Sequence, residues 1–189
     1  MVRLAIIGDT HIPSRADEIP EWITEEVEAA DHTIHVGDFD AAETLDEVRD
    51  LAGGELTAVT GNMDPHLDLP SVTTVERGGW GFVVTHGTGD IEGYEDRVAG
   101  VVRETAGDEP TVGVSGHTHQ VLDAEVDGVR LLNPGSATGA APAETATMMV
   151  AEVDGGGLDV TVYKEQREFR PPHRPCGTID EQGENYTND

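Results

Sequence analysis

Asp9, His11, Asp38, Asn62, His86, His117 and His119 are candidate metal ligands. They fall in five short segments: Gly8-Asp9-Thr10-His11, Gly37-Asp38-Phe39-Asp40, Gly61-Asn62-Met63-Asp64, Thr85-His86-Gly87 and Gly116-His117-Thr118-His119. Each segment closes an apolar run that reads as a strand, and loops beyond the carboxyl ends of strands are where sites form in open α/β sheets. Asp9 and His11 are two residues apart, as are His117 and His119. In an extended segment such pairs point to one side, so each pair could hold one ion. The donors are carboxylate, imidazole and one amide oxygen, without thiolate, a set suited to Mn²⁺, Fe²⁺, Zn²⁺ or Co²⁺. Any one segment is weak evidence, since Asp-x-His recurs by accident and Gly37-Asp38 could be a plain turn. The informative event is all five, in order, each at a strand end.

The elements that would carry these segments are legible. Val2 to Ile7 reads as a buried first strand. A helix begins near Pro20 and runs through Glu21-Trp22-Ile23 to Ala30, with acids in its first turn. A strand over Thr33 to Val36, a helix from about Ala41 to Leu51 and a strand from Leu56 to Thr60 follow. This β-α-β-α-β alternation predicts an α/β fold with parallel strands. The second half is richer in hairpins: Ser71–Glu76 with Trp80–Thr85, Val121–Val126 with Val129–Leu132 around Asp127-Gly128, and Thr145–Val153 with Leu158–Tyr163. A helix from Tyr94 to Ala106 and a strand from Thr111 to Ser115 lie among them. Two packed sheets flanked by helices satisfy both halves. Residues 1–163 are expected to form one domain. Residues 164–189, polar and containing Arg170-Pro171-Pro172, are expected to form a disordered or loosely docked tail.

Composition bounds the setting. The 189 residues hold 38 Asp plus Glu against 11 Lys plus Arg, a formal net charge of −27, and Lys164 is the single lysine. That balance opposes nucleic acid and anionic membranes in ordinary buffer. Together with many small residues it resembles proteins of salt-loving archaea, where molar salt screens self-repulsion. No apolar stretch approaches a membrane span and no signal peptide is read, so a cytoplasmic location is expected. Cys176 is the only cysteine, which excludes an intrachain disulfide.

The five segments, in order and spacing, resemble the calcineurin-like metallophosphoesterase superfamily. Asn133-Pro134-Gly135-Ser136 matches a further segment of its small bacterial and archaeal phosphodiesterase branch, which also includes the retromer scaffold subunit. The resemblance covers about residues 1–163. It implies a four-layer α-β-β-α sandwich of two mixed sheets flanked by helices, with a dinuclear site at its edge. By matching position, Asp9, His11, Asp38 and His119 would bind one divalent ion and Asp38, Asn62, His86 and His117 the other, with Asp38 bridging. The ions implied are manganese foremost, with iron, zinc, cobalt or nickel as alternatives. A hydroxide held between them would attack a small phosphate-ester substrate in line, without a protein nucleophile.

Asp38, Asn62 and Asp64 are the residues this resemblance ties to catalysis, Asp64 by orienting a ligand histidine from behind. Many relatives carry a histidine where this chain has Met63, and the small phosphodiesterase branch lacks it too. Three functions follow: a phosphodiesterase, a phosphomonoesterase or nucleotidase, and a non-catalytic scaffold of the same fold. A homo-oligomer is compatible with each. Among the remaining residues, His35 is read as packed or hydrogen-bonded, His66 as a surface-loop residue, and His32 and His173 as solvent-exposed. Trp22 is read as packing, and Cys176 as a stray thiol.

Overall fold

The computed structural model describes residues 1–155 and 157–164. The chain opens with β1 (Val2–Ile7), α1 (Glu21–Glu28), β2 (His32–His35), α2 (Ala42–Leu51) and β3 (Leu56–Ala58). A hairpin of β4 (Val72–Arg77) and β5 (Trp80–Thr85) leads to α3 (Tyr94–Thr105) and β6 (Thr111–Val114). Two more hairpins close it: β7 (Val121–Val126) with β8 (Val129–Pro134), and β9 (Thr147–Asp154) with β10 (Gly157–Lys164). The tail expected over residues 164–189, with His173 and Cys176, lies outside the described residues apart from Lys164, which ends β10.

These strands form two mixed sheets, ordered β10-β9-β1-β2-β3 and β4-β5-β6-β8-β7. β1, β2 and β3 pair in parallel, as do β5, β6 and β8, while the hairpin strands add antiparallel edges. The last hairpin folds back onto β1, so the first sheet is built from both ends of the described chain.

Side-chain alternation assembles the layers. Leu4 and Ile6 of β1 meet Phe82, Val84, Val112, Val114 and Leu132 of the opposite sheet. Ala5 and Ile7 face the other way, toward Ile23 and Val27 of α1 and Leu45 and Val48 of α2. On the far side Val83 and Leu131 receive Val98, Ala99 and Val102 of α3. Both faces of the central strands are therefore covered, which is why β1 reads as an unbroken apolar run. The order is helix, sheet, sheet, helix. The Asp127-Gly128 turn has both residues at positive φ, 49° and 78°, the geometry that matches strand twist in a two-residue hairpin.

β3 stops at Ala58, short of the Thr60 expected, because the chain leaves the sheet there. Val59 N–H still reaches the His35 carbonyl, but Thr60 N–H bonds to Pro70 instead. That departure carries Gly61 to Asp64 over the sheet edge. His32 corrects a second expectation: it is 4% exposed, not solvated. Its position beside Asp31 looks like a loop, but β2 begins one residue earlier than the apolar pattern shows. Arg77, at the end of β4, covers it and donates to Nδ1 at 3.0 Å, and Nε2–H meets Thr57 Oγ1 at 2.8 Å. Burial first, and then the Arg77 charge, hold its pKa below the usual histidine value.

Candidate metal centre

The loops after β1, β2, β3, β5 and β6 converge at one end of the two sheets. Asp9, His11, Asp38 and His119 are all buried, with ligand atoms within 4.8 Å of one another. His11 Nε2 lies 3.1 Å from His119 Nε2 and 3.4 Å from Asp38 Oδ2, and His119 Nε2 lies 3.4 Å from Asp9 Oδ1. Across Asp38 stands a second group. His86 Nε2 is 3.3 Å from Asp38 Oδ2 and 3.1 Å from Asn62 Oδ1, which is 2.8 Å from His117 Nδ1. The structure thus brings all seven candidate ligands together, with Asp38 between the two groups. Asn62 and Met63 are exposed, so this second group is the one that faces solvent.

Convergence does not come from the alternation of extended segments. Asp9, His11, Asp38, His117 and His119 all have left-handed backbone, with φ between 48° and 71°. Non-glycine residues seldom adopt it, and such strain, about 1–3 kcal/mol a residue, persists where surrounding structure over-determines it. Here hydrogen bonds between loops do so: Asp9 N–H to Gly37 O, His11 N–H to Asp38 O, and Gly116 N–H to His86 O. The loops also approach too closely for side chains, since a Cβ at Gly61 would collide with the Asp38 carboxylate and backbone.

Every histidine of the cluster is fixed from behind. The far ring nitrogen donates to an oxygen that can only accept: His11 Nδ1 to Asp40 (3.0 Å), His86 Nδ1 to Val36 O (2.7 Å), His117 Nε2 to Gly89 O (2.8 Å), and His119 Nδ1 to Ala140 O (2.8 Å). In the neutral ring the inward nitrogen then keeps its lone pair. Two such lone pairs, on His11 and His119, face each other at 3.1 Å. No Lys or Arg hydrogen-bonds or ion-pairs with Asp9 or Asp38 among the described residues, so neither buried carboxylate has a cationic partner apart from histidine. Buried charges need pairing, and a divalent cation meets both deficits. The residues fit a metal.

The buried groups also shift one another's titration. Burial raises the Asp9 carboxyl to about 7, with the nearby Asp38 charge adding to the rise and His86 opposing it. Burial also acts to raise Asp38, but the hydrogen bond and charge of His86, the Met63 N–H and His11 outweigh it and leave Asp38 below the usual carboxylate value. Burial lowers His119. For His86 burial pulls down, and its bonds and charge pairing with Asp38 and Asp9 win, raising it.

Asp64 has a different part from the one expected. It accepts backbone N–H groups from Asp38, Phe39, Asp40 and Gly61 at 2.6–3.1 Å, and no histidine among the described residues. It clamps the Asp38 loop to the Asn62 loop. Asp64→Ala would strand four N–H groups and is expected to weaken metal binding about 10–100-fold, as loss of an outer-shell partner does. Titration with Mn²⁺ reads this, and unchanged affinity would contradict it.

Asp40 is not singled out by the sequence, although its proximity to Asp38 is a faint signal. It receives His11 Nδ1–H on one oxygen and the Ser14 hydroxyl on the other. In the Asn133-Pro134-Gly135-Ser136 segment, Asn133 Nδ2 bonds to Gly116 O, Thr118 Oγ1 and Tyr94 OH, and Ser136 Oγ donates to the Asp9 carbonyl. That segment braces two ligand loops. His35 is fully buried against Phe39 and accepts Gly37 N–H on Nδ1, His66 is exposed, and Trp22 packs on the first core.

Comparison with known proteins gives a consistent answer. Residues 2–156 match the family described as the calcineurin-like phosphoesterase superfamily domain. A probable metallophosphoesterase of Methanothermobacter thermautotrophicus is 34% identical over 164 residues, covering 85% of this chain and 91% of its own. Among solved structures, Vps29 of Chaetomium thermophilum superposes with a TM-score of 0.76 at 25% identity, over 89% of this chain and 91% of that one. A structure described as a novel archaeal phosphodiesterase shares the fold, with a TM-score of 0.65 at 23% identity, over 85% and 99% of the two chains.

Proposed function

Because the chain belongs to the calcineurin-like phosphoesterase superfamily, we propose that it hydrolyses small phosphodiesters with two divalent cations, manganese foremost. The observation that carries this reading is the pair of ligand groups sharing Asp38, with histidine lone pairs turned inward and one group open to solvent. When bound, two cations supply Lewis acidity and lower the pKa of a water.

The protein's own part is positional. Asp9, His11 and His119 would hold the buried ion, and Asn62, His86 and His117 the outer one. Asp38 would serve both, its Oδ2 facing His11 and His86 while its Oδ1 is fixed by Met63 N–H at 2.8 Å. Substrate phosphate enters from the Asn62 and His117 side. A cleft of about 330 Å³ beside the His117–His119 turn, lined by Ile91, Tyr94, Glu95, Asp96, Thr118 and Leu122 among others, has room for an ester substituent, and its two acids favour an uncharged or cationic one. No membrane-spanning helix occurs among the described residues.

Met63 favours diesters over monoesters. A monoester dianion brings more negative charge and gains more from a nearby acid or donor; a thioether is neither. Met63 is 46% exposed at the rim and offers an apolar wall to a second substituent. Met63→His is expected to raise monoester turnover relative to diester turnover, by less than the roughly 10²–10⁴-fold that a well-placed general acid supplies. The ratio of kcat/KM for matched mono- and bis-aryl phosphates reads it. A wild-type preference for the monoester, or an unmoved ratio with metal binding intact, would remove Met63 from specificity.

The second reading, a protein-binding scaffold, draws on the likeness to Vps29 and on Met63 and Ile91, apolar and exposed. Absence of turnover on both ester classes in the metal-loaded protein would favour it.

A further inference from the structure

We propose that Arg97 is a positioning residue for His117, acting through the carbonyl of Gly89. Arg97 sits on the first turn of α3, half-buried. Its Nη2 donates to Gly87 O at 3.1 Å and Asp90 O at 2.9 Å, carbonyls on either side of Gly89. The Gly89 carbonyl accepts His117 Nε2–H at 2.8 Å. Gly89 itself lies against the guanidinium: with φ at +130°, a Cβ there would come within 3.1 Å of Arg97 Cζ and Nη2. The guanidinium carbon stands 5.8 Å from the centroid of the Tyr94 ring, a cation–π distance that adds to its hold.

The consequence is directional. A loop with glycines at 87, 89 and 93 has little stiffness of its own. Arg97 supplies it through one guanidinium nitrogen, Nη2, which bonds both carbonyls, while the planar group lies against Gly89 and Tyr94, a packing that a lysine's ammonium would not reproduce. The fixed Gly89 carbonyl favours the proton on His117 Nε2, which makes Nδ1, 2.8 Å from Asn62 Oδ1, the nitrogen turned toward the candidate site. Tyr94, three residues earlier on α3, meanwhile bonds to the Gly116 carbonyl at 2.7 Å. One helix start thus holds both the loop behind His117 and the turn that bears it. This inference rests on the proposed two-ion reading only where it concerns metal affinity.

The test uses the full chain in molar salt, with Arg97→Gln, Arg97→Lys and Gly89→Ala. Long-range ¹H–¹⁵N spectra of the metal-free protein report the His117 tautomer. Wild type is expected to show the Nε2–H form, and Arg97→Gln a mixture, with Gly89→Ala shifted the same way and Arg97→Lys intermediate. On Mn²⁺ titration the outer ion is expected to weaken about 10–100-fold in Arg97→Gln while the buried ion is unaffected. An Arg97→Gln protein with the wild-type tautomer and outer-ion affinity would overturn the proposal. So would equal weakening of both ions with a lowered Tm, which would make Arg97 merely structural. A wild type that binds only one ion would sink the two-ion reading, and the tautomer would still decide the role of Arg97.

Discussion

Asp38→Ala is expected to cut phosphodiester turnover by about 10³-fold or more, a larger loss than any other single ligand change. One oxyanion-stabilising donor is typically worth about 10²–10³-fold, and this carboxylate serves two ligand groups at once. Its Oδ2 lies 3.4 Å from His11 Nε2 and 3.3 Å from His86 Nε2, so its removal separates the groups and takes a negative charge from each. The Met63 N–H also loses its acceptor, freeing the loop that carries Asn62. Asp38→Asn keeps the shape and removes the charge, so its residual activity divides geometry from electrostatics. Activity of Asp38→Ala within tenfold of wild type, at saturating Mn²⁺ and with an unchanged fold, would show that Asp38 bridges nothing.

Thermal stability is expected to climb steeply with salt. The 38 Asp plus Glu repel one another, and only 11 Lys plus Arg offset them, which leaves a formal net charge of −27 over 189 residues. Several of these pair with acids at the surface, Arg49 with Asp46 and Arg130 with Asp123 among them, and exposed pairs add little. Raising KCl from about 0.1 M to 1 M shortens the Debye length from about 10 Å to about 3 Å, which silences repulsion between neighbouring carboxylates. Relief of about 3–5 kcal/mol would raise Tm by roughly 6–20 °C in a chain of this size. Melts across a KCl series measure it. A flat profile would contradict the salt-adapted reading of the surface.

Much of this molecule is written locally in its sequence. Apolar runs ending in Gly8, Gly37 and Gly61 mark strands because both faces of those strands are covered, and Asp127-Gly128 marks its hairpin because the turn needs positive φ twice. What local pattern does not carry is long-range register. Nothing in Thr147–Asp154 says that it will pair with β1 instead of with the other hairpins. His32 looks exposed until Arg77, 45 residues on, covers it. The candidate ligands are legible as residue types at strand ends, but the reason they converge is not. Left-handed backbone at Asp9, His11, Asp38, His117 and His119 is imposed by neighbouring loops, not by these residues alone. The same holds for Asp64 and Asp40. Both are short acids next to ligand segments, and only the folded loops show that one grips backbone N–H groups and the other the back of His11.

The two-ion centre is the claim on which the rest depends, and counting bound metal tests it most directly. The full chain, freed of metal, is titrated with Mn²⁺ in molar KCl, dialysed gently and assayed for metal per chain. Two ions are expected, the outer one lost in His117→Ala while the buried one stays with Asp9, His11, Asp38 and His119. A count that stops at one, or remains at zero with added Mn²⁺, would contradict the account.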